Sequence, residues 1–343
     1  VKLGWHSRWA KVLRCALGAQ TGNVRRLPLI GLLVTSCAMG PTPASSPASP
    51  TVATSSSKTS GRCTTGDLSG CEALCDEGDA HACFNFGVVL FQGIGVDRNT
   101  SRAAAVLQKS CDAGYSEACF ELGQLFAYGV SVPRDAARAV PLLRRACAGS
   151  SAAACRKLGM MVQRGDGIRR DYAQARALAT RACDGGNARG CSDLGVLFEH
   201  GRGGDKDIPR ALELYTKSCS SSDSDGCANL GYLFVMGLGV PRDANRGVAL
   251  FSEACLAHSP HGCTNLGIAF KLGISVPKNL AHATELFEKT CTTDSGEGCV
   301  QLAKLYEEGA GVPRDANRAA ALRRKACAAR NIDNVPGCQQ DRD

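Results

Sequence analysis

The chain has 343 residues, 44% of them hydrophobic but only 5% aromatic, with 39 glycines and 20 cysteines. Twenty cysteines exclude a cytosolic enzyme with reduced thiols, and the length excludes the small secreted scaffolds that carry such cysteine density. The formal charge of +8 is no nucleic-acid footprint, because residues 1–37 hold six basic residues and no acid, which leaves 34 Lys+Arg against 32 Asp+Glu in the rest.

In chain order, Arg25-Arg26 precede the short apolar run Leu27–Val34 and then Thr35-Ser36-Cys37. The run is too short for a permanent bilayer span of about 20 residues, and its basic head and small exit residues fit a secretory signal. Val34-Thr35-Ser36-Cys37 resembles the lipobox of bacterial lipoproteins, which implies lipid attachment at Cys37; Ala38 after it favours the outer membrane. Residues 1–24 fit no signal and read as an over-extended start, with initiation at Leu17 or Val24. Residues 38–62, rich in Ser, Thr, Pro and Ala, read as a disordered tether.

From residue 63 onward cysteine sets the organisation. Cys75, Cys111, Cys147, Cys183, Cys219, Cys255, Cys291 and Cys327 recur every 36 residues, as do Cys83, Cys119, Cys155, Cys191, Cys227, Cys263 and Cys299. Residues 63–78 form an N-terminal cap, 79–330 seven repeats, and 331–343 a C-terminal cap and tail. Each unit predicts two helices. In 223–258, Cys227, Leu230, Gly231, Leu233 and Phe234 make an apolar stripe at helical spacing. Gly237-Leu-Gly-Val-Pro241 breaks that helix, and Asp243 caps the next. Asn99, Asp135, Asp171, Asp207, Asn279 and Asp315 hold the capping place elsewhere, and Gly87, Gly123, Gly159, Gly195 and Gly267 match Gly231, a mid-helix glycine suited to close helix approach.

The pattern Leu-Gly-x2-Phe/Tyr-x2-Gly-x-Gly-Val-x2-Asp, followed by Arg-Ala and Lys-Ala-Cys, resembles the Sel1-like repeat, and within it the cysteine-rich secreted branch typified by the Helicobacter cysteine-rich proteins. The resemblance covers residues 63–338 and implies an all-α fold, an α/α superhelical solenoid related to tetratricopeptide repeats. Two disulfide schemes suit the period: Cys75–Cys83 across the turn between units, or Cys83–Cys111 within one. The ends favour the turn scheme, which uses all eighteen cysteines beyond Cys37: Cys63–Cys71, Cys75–Cys83, Cys111–Cys119, Cys147–Cys155, Cys183–Cys191, Cys219–Cys227, Cys255–Cys263, Cys291–Cys299 and Cys327–Cys338.

Catalytic chemistry is not visible. Cys255, His258, His261 and Cys263 have the spacing of a zinc set, but both cysteines belong to a series repeated without histidines, so no metal and no cofactor is expected. The Helicobacter resemblance implies penicillin binding or weak β-lactamase activity as an alternative function. Yet Ser55-x2-Lys58 lies in the tether, Ser275-x2-Lys278 in an inter-helix turn, and Ser-Asp-Asn and Lys-Thr-Gly do not occur. Arg102, Arg138, Arg210, Arg246 and Arg318 recur at one position; a phosphate or carboxylate ladder is one reading, and a solvated helix face, with room to pair with the adjacent capping acid, is the favoured one.

The expected function is a disulfide-stapled scaffold, a lipoprotein of the bacterial envelope, that binds a protein or peptide partner along its first helices. A peptidoglycan-like or β-lactam ligand belongs to the alternative; nucleic acid is not expected, and membrane contact is through the lipid alone. Asn85, Val88, Gln92, Glu121, Gln124 and Tyr128, on the variable stripe of those helices, read as ordinary surface choices. Tyr232, Met236, Ile268 and Leu272 cluster four apolar side chains across adjacent repeats, either as a contact patch or as filling of the inter-repeat seam. As a contact patch, Asn229 and Asn265 would hold the backbone of an extended peptide beside them.

Overall fold

The computed structural model describes residues 68–130, 132–291 and 296–328. Cys37, the signal and tether segments, Cys63 and Cys338 lie outside the described residues. Among these residues there are helices and no strands. A capping helix α1 (Leu68–Asp76) is followed by seven antiparallel pairs, each an A helix and a B helix: α2 (Ala80–Gln92) and α3 (Thr100–Asp112), α4 (Ser116–Tyr128) and α5 (Ala136–Ala148), α6 (Ala152–Arg164) and α7 (Tyr172–Asp184), α8 (Ala188–Glu199) and α9 (Ile208–Ser220). The array continues with α10 (Ser224–Met236) and α11 (Ala244–Leu256), α12 (Pro260–Leu272) and α13 (Leu280–Thr290), and α14 (Glu297–Glu308) and α15 (Ala316–Ala328).

The fifth pair shows why these residues stop and start where they do. Asp223 caps α10, its carboxylate accepting the N–H of Gly226 at 3.0 Å. Gly237 ends α10 with φ 69°, a left-handed conformation that a residue without Cβ adopts freely, and its N–H bonds back to the Leu233 carbonyl. Asp243 then caps α11 by accepting the N–H of Arg246 at 3.0 Å. The same bond, from the N–H three residues on, is made by Asn99, Asp135, Asp171, Asp207, Asn279 and Asp315. Each such cap is worth about 1 kcal/mol against alanine.

Disulfides tie the capping helix α1, and then the end of each B helix, to the A helix that follows. Cys75–Cys83, Cys111–Cys119, Cys147–Cys155, Cys183–Cys191, Cys219–Cys227, Cys255–Cys263 and Cys291–Cys299 all span eight residues. Cys71 and Cys327 are also disulfide-bonded; their expected partners are Cys63 and Cys338. The zinc spacing is thereby resolved chemically, because Cys255 and Cys263 are bonded to each other.

The core lies between A and B helices of a pair and the next A helix. Its largest fully buried side chains include Tyr215, Phe287, Leu143, Leu197 and Leu233. The mid-A-helix glycines face the partner helix: a Cβ at Gly267 would stand 2.6 Å from the Phe287 ring, and one at Gly195 2.5 Å from the Tyr215 ring. From α6 to α14 each A helix also packs against the next A helix, whereas B helices do so less. The A helices therefore line the inner side of the array. At its beginning, from α2 to α6, successive A helices approach each other less closely than later ones do.

The arginine series does not pair with the capping acids. Those acids take the arginine backbone N–H, while the guanidinium lies over the aromatic ring of the preceding A helix: Arg138 over Phe126 and Arg246 over Phe234, both at 4.1 Å, and Arg102 over Phe86 at 5.2 Å. Arg210 departs from this and pairs with Glu213, and Phe198 is covered by Arg176 at 3.6 Å instead. These contacts shield aromatic surface by cation–π attraction.

Candidate functional site

The A helices present polar rows whose members bond from one repeat to the next. Ser192 accepts from Asn229 Nδ2 at 3.2 Å, and Ser259 Oγ donates to Asp225 at 2.6 Å. Arg156 pairs with Asp193 at 2.7 Å, Arg189 with Asp223 at 3.3 Å, and Lys271 with Glu308 at 3.2 Å. Burial raises the Asp193 carboxyl above its ordinary value, against the pull of Arg156, with Asp223 and Asp225 adding to the rise. In the fourth repeat the row ends in Glu199, which accepts the buried Tyr215 hydroxyl at 2.6 Å; burial, then the Glu199 charge, pushes that hydroxyl well above the usual tyrosine range.

His261 and Glu297 form the next rung, with Nδ1 3.2 Å from Oε2. Burial disfavours the imidazolium, but the Glu297 carboxylate and the more distant Asp225 and Glu199 outweigh it and raise the histidine above 6.5. Burial likewise opposes ionisation of Glu297, yet His261 brings it below 4.5. The histidine contribution is complete below 6.5 and lost as pH rises through the folded value; the glutamate contribution is complete above 4.5 and lost as pH falls through its own. Urea denaturation should therefore show the largest stability difference between wild type and His261→Gln between pH 4.5 and 6.5, shrinking on either side. A difference that is flat from pH 4 to pH 9 would remove the pair from the account.

On the same face, Tyr232, Met236 and Leu272 are 39%, 53% and 61% exposed. They sit on α10 and α12, which pack side by side. Ile268 is different: it is half-buried and packs against the cluster of Phe287, Leu302 and Leu305, so it fills the seam toward α14. Asn229 and Asn265 are half-buried, the first bonded to Ser192 and the second with Nδ2 3.5 Å from His261 Nε2. Ser275 and Lys278 lie in the turn between α12 and α13, with Ser275 at φ 55°, and share no helix face.

A cavity of about 440 Å³ lies elsewhere, between α2 and α4. Val88, Gln92, Gln124 and Tyr128 from the variable stripe line it, together with Phe84 and Phe91. Sequence reading passed over these positions; the signal it had was an acid, Glu121, on the stripe beside two unplaced phenylalanines.

A protein-family model for the Sel1 repeat matches at 80–115, 116–151, 152–187, 188–223, 224–259, 260–292 and 296–331. The chain belongs to the Sel1 repeat family. Among solved structures it is similar to a Sel1 repeat protein from Oxalobacter formigenes, at 24% identity over 65% of this chain and 90% of that one, with a TM-score of 0.61. It is also similar to a protective antigen of uropathogenic Escherichia coli described as having an SLR fold, at 24% identity and a TM-score of 0.58. That match covers 76% of this chain but 56% of the antigen, so the chain spans a little over half of it. Helicobacter pylori cysteine-rich protein B matches at 28% identity over 39% of this chain and 97% of its own, with a TM-score of 0.31. No curated protein matches the chain. Sel1 repeats mediate protein–protein interaction, and seven disulfides require an oxidising compartment, which makes this Sel1 protein extracytoplasmic. Among the described residues no helix is long and apolar enough to cross a membrane.

Proposed function

We propose that this Sel1 protein is a non-enzymatic scaffold, held in the bacterial envelope through a lipid on Cys37, that grips an extended peptide of a protein partner on α10 and α12. The observation that carries this reading is the apolar group Tyr232, Met236 and Leu272, exposed on packed neighbouring A helices beside the half-buried amides of Asn229 and Asn265. Exposed apolar side chains grouped in this way mark contact sites, and amides beside them suit the alternating donors and acceptors of an extended backbone.

The oxidised protein, immobilised and exposed to envelope extract, should capture a partner that is lost from Tyr232→Ala with Leu272→Ala. Neither residue is buried, so the pair should leave the helical signal unchanged. A partner retained at full affinity by that variant would overturn the placement, and labelled palmitate still incorporated after Cys37→Ala would overturn the anchor.

A further inference from the structure

The cavity between α2 and α4 has a composition that a structural seam does not need. Its walls are mostly apolar, from Phe84, Val88, Phe91, Leu125 and Tyr128, with the amides of Asn85, Gln92 and Gln124 among them, and Glu121 is the one charged group that lines it. Among the described residues no cation lies within ion-pair distance of that carboxylate; its contact is the amide of Gln124, 3.4 Å from Oε2. Burial raises the Glu121 carboxyl above the ordinary glutamate value, and no neighbouring charge opposes this. A half-buried carboxylate beside aromatic rings, with one long amide contact and no cation, gains from a ligand that brings positive charge to it.

The rim already holds an ammonium in this chemistry, since Lys157 Nζ sits 3.6 Å from the centre of the Tyr128 ring. Lys157 is spent on that ring and does not reach Glu121. Gln124 reaches Oε2 at 3.4 Å and leaves Oε1 as the open acceptor, which a compact ammonium can take with a single bond. The volume of about 440 Å³ exceeds what one side chain fills and admits its apolar neighbours in a peptide.

We propose that the α2/α4 cavity binds a lysine side chain of a peptide partner, with its aliphatic stem along the apolar walls and its ammonium on Glu121. This rests on reading the A-helix face as the peptide-binding face, but not on the Tyr232 patch four repeats away.

The test uses the oxidised protein, labelled for amide NMR, and three end-blocked pentapeptides, Ala-Phe-X-Leu-Ala, with X as lysine, acetyl-lysine or glutamate. Blocked ends remove the terminal amine as a source of charge. The lysine peptide should shift amides of α2 and α4 saturably and bind at least tenfold more tightly than the other two. Glu121→Gln, checked for an unchanged melting temperature, should abolish that preference. Equal binding of the lysine and acetyl-lysine peptides, or a preference that survives Glu121→Gln, would overturn the proposal. Shifts confined to α10 and α12 whatever X is would also overturn it while supporting the Tyr232 patch, and no shift anywhere would count against both sites for such peptides.

Discussion

Reducing the purified protein at neutral pH is expected to lower its melting temperature by at least 15 °C, read from the helical circular dichroism signal with and without a phosphine reductant. Each described disulfide closes a loop of eight residues, which restricts the unfolded chain by about 2.5 kcal/mol. Seven such restrictions together exceed the 5–15 kcal/mol by which domains are typically stable. The array has little else to fall back on, because aromatic residues are 5% of the chain and many buried core positions are alanine or cysteine. In a solenoid each repeat touches only its neighbours, so the turn that joins one pair to the next is where cohesion is decided. Each disulfide sits at that turn, with Cα atoms 4.4 to 4.7 Å apart. A melting temperature that moves by less than 5 °C would show that helix packing alone holds the array, and the cysteines would then need another explanation.

The parts of this architecture written in local chemistry were legible in the sequence. A 36-residue period, an Asn or Asp before each B helix and a Gly-x-Gly turn each act within a few residues, and the caps at Asn99 through Asp315 form at the expected places. What depends on how one A helix sits beside the next was not legible. Ile268 and Leu272 occupy the same stripe one helical turn apart, yet one packs toward Phe287 and the other is exposed, because the approach of α14 covers only the first. The α2/α4 cavity lies where neighbouring A helices pack more loosely than they do from α6 onward, a spacing that no motif encodes. The arginine series is exposed, as expected, but its side chains find other partners than the capping acids for a related reason. Guanidinium and capping acid are close in sequence, but the backbone N–H claims the acid first, and the side chain is left to find the aromatic ring of the neighbouring helix.

The mid-helix glycines make a graded prediction about the same helix spacing. Gly231→Ala is expected to destabilise the protein by about 2–3 kcal/mol, the upper range for overpacking a tight core. A Cβ there would stand 2.8 Å from the carbonyl oxygen of Gly247 and 2.9 Å from the Phe251 ring. A helix carbonyl cannot rotate away, so α10 and α11 must separate. Gly159→Ala is expected to be close to neutral, because its Cβ would meet the Leu178 side chain at 3.3 Å, and the roughly 1 kcal/mol gained in helix propensity offsets a small shift there. Gly247→Ala pushes on the same crossing from the other side, its Cβ 2.6 Å from the Gly231 carbonyl oxygen. The two changes in the fifth repeat should therefore add to less than their sum, since one separation of α10 from α11 relieves both. Chemical denaturation of the four variants reads all of this, and equal effects at Gly159 and Gly231 would show that the glycines do not set the spacing. Because Tyr232 follows Gly231 on α10, the same separation would tilt the exposed apolar patch relative to α12, so a binding defect in Gly231→Ala without one in Gly159→Ala would tie helix spacing to the binding face.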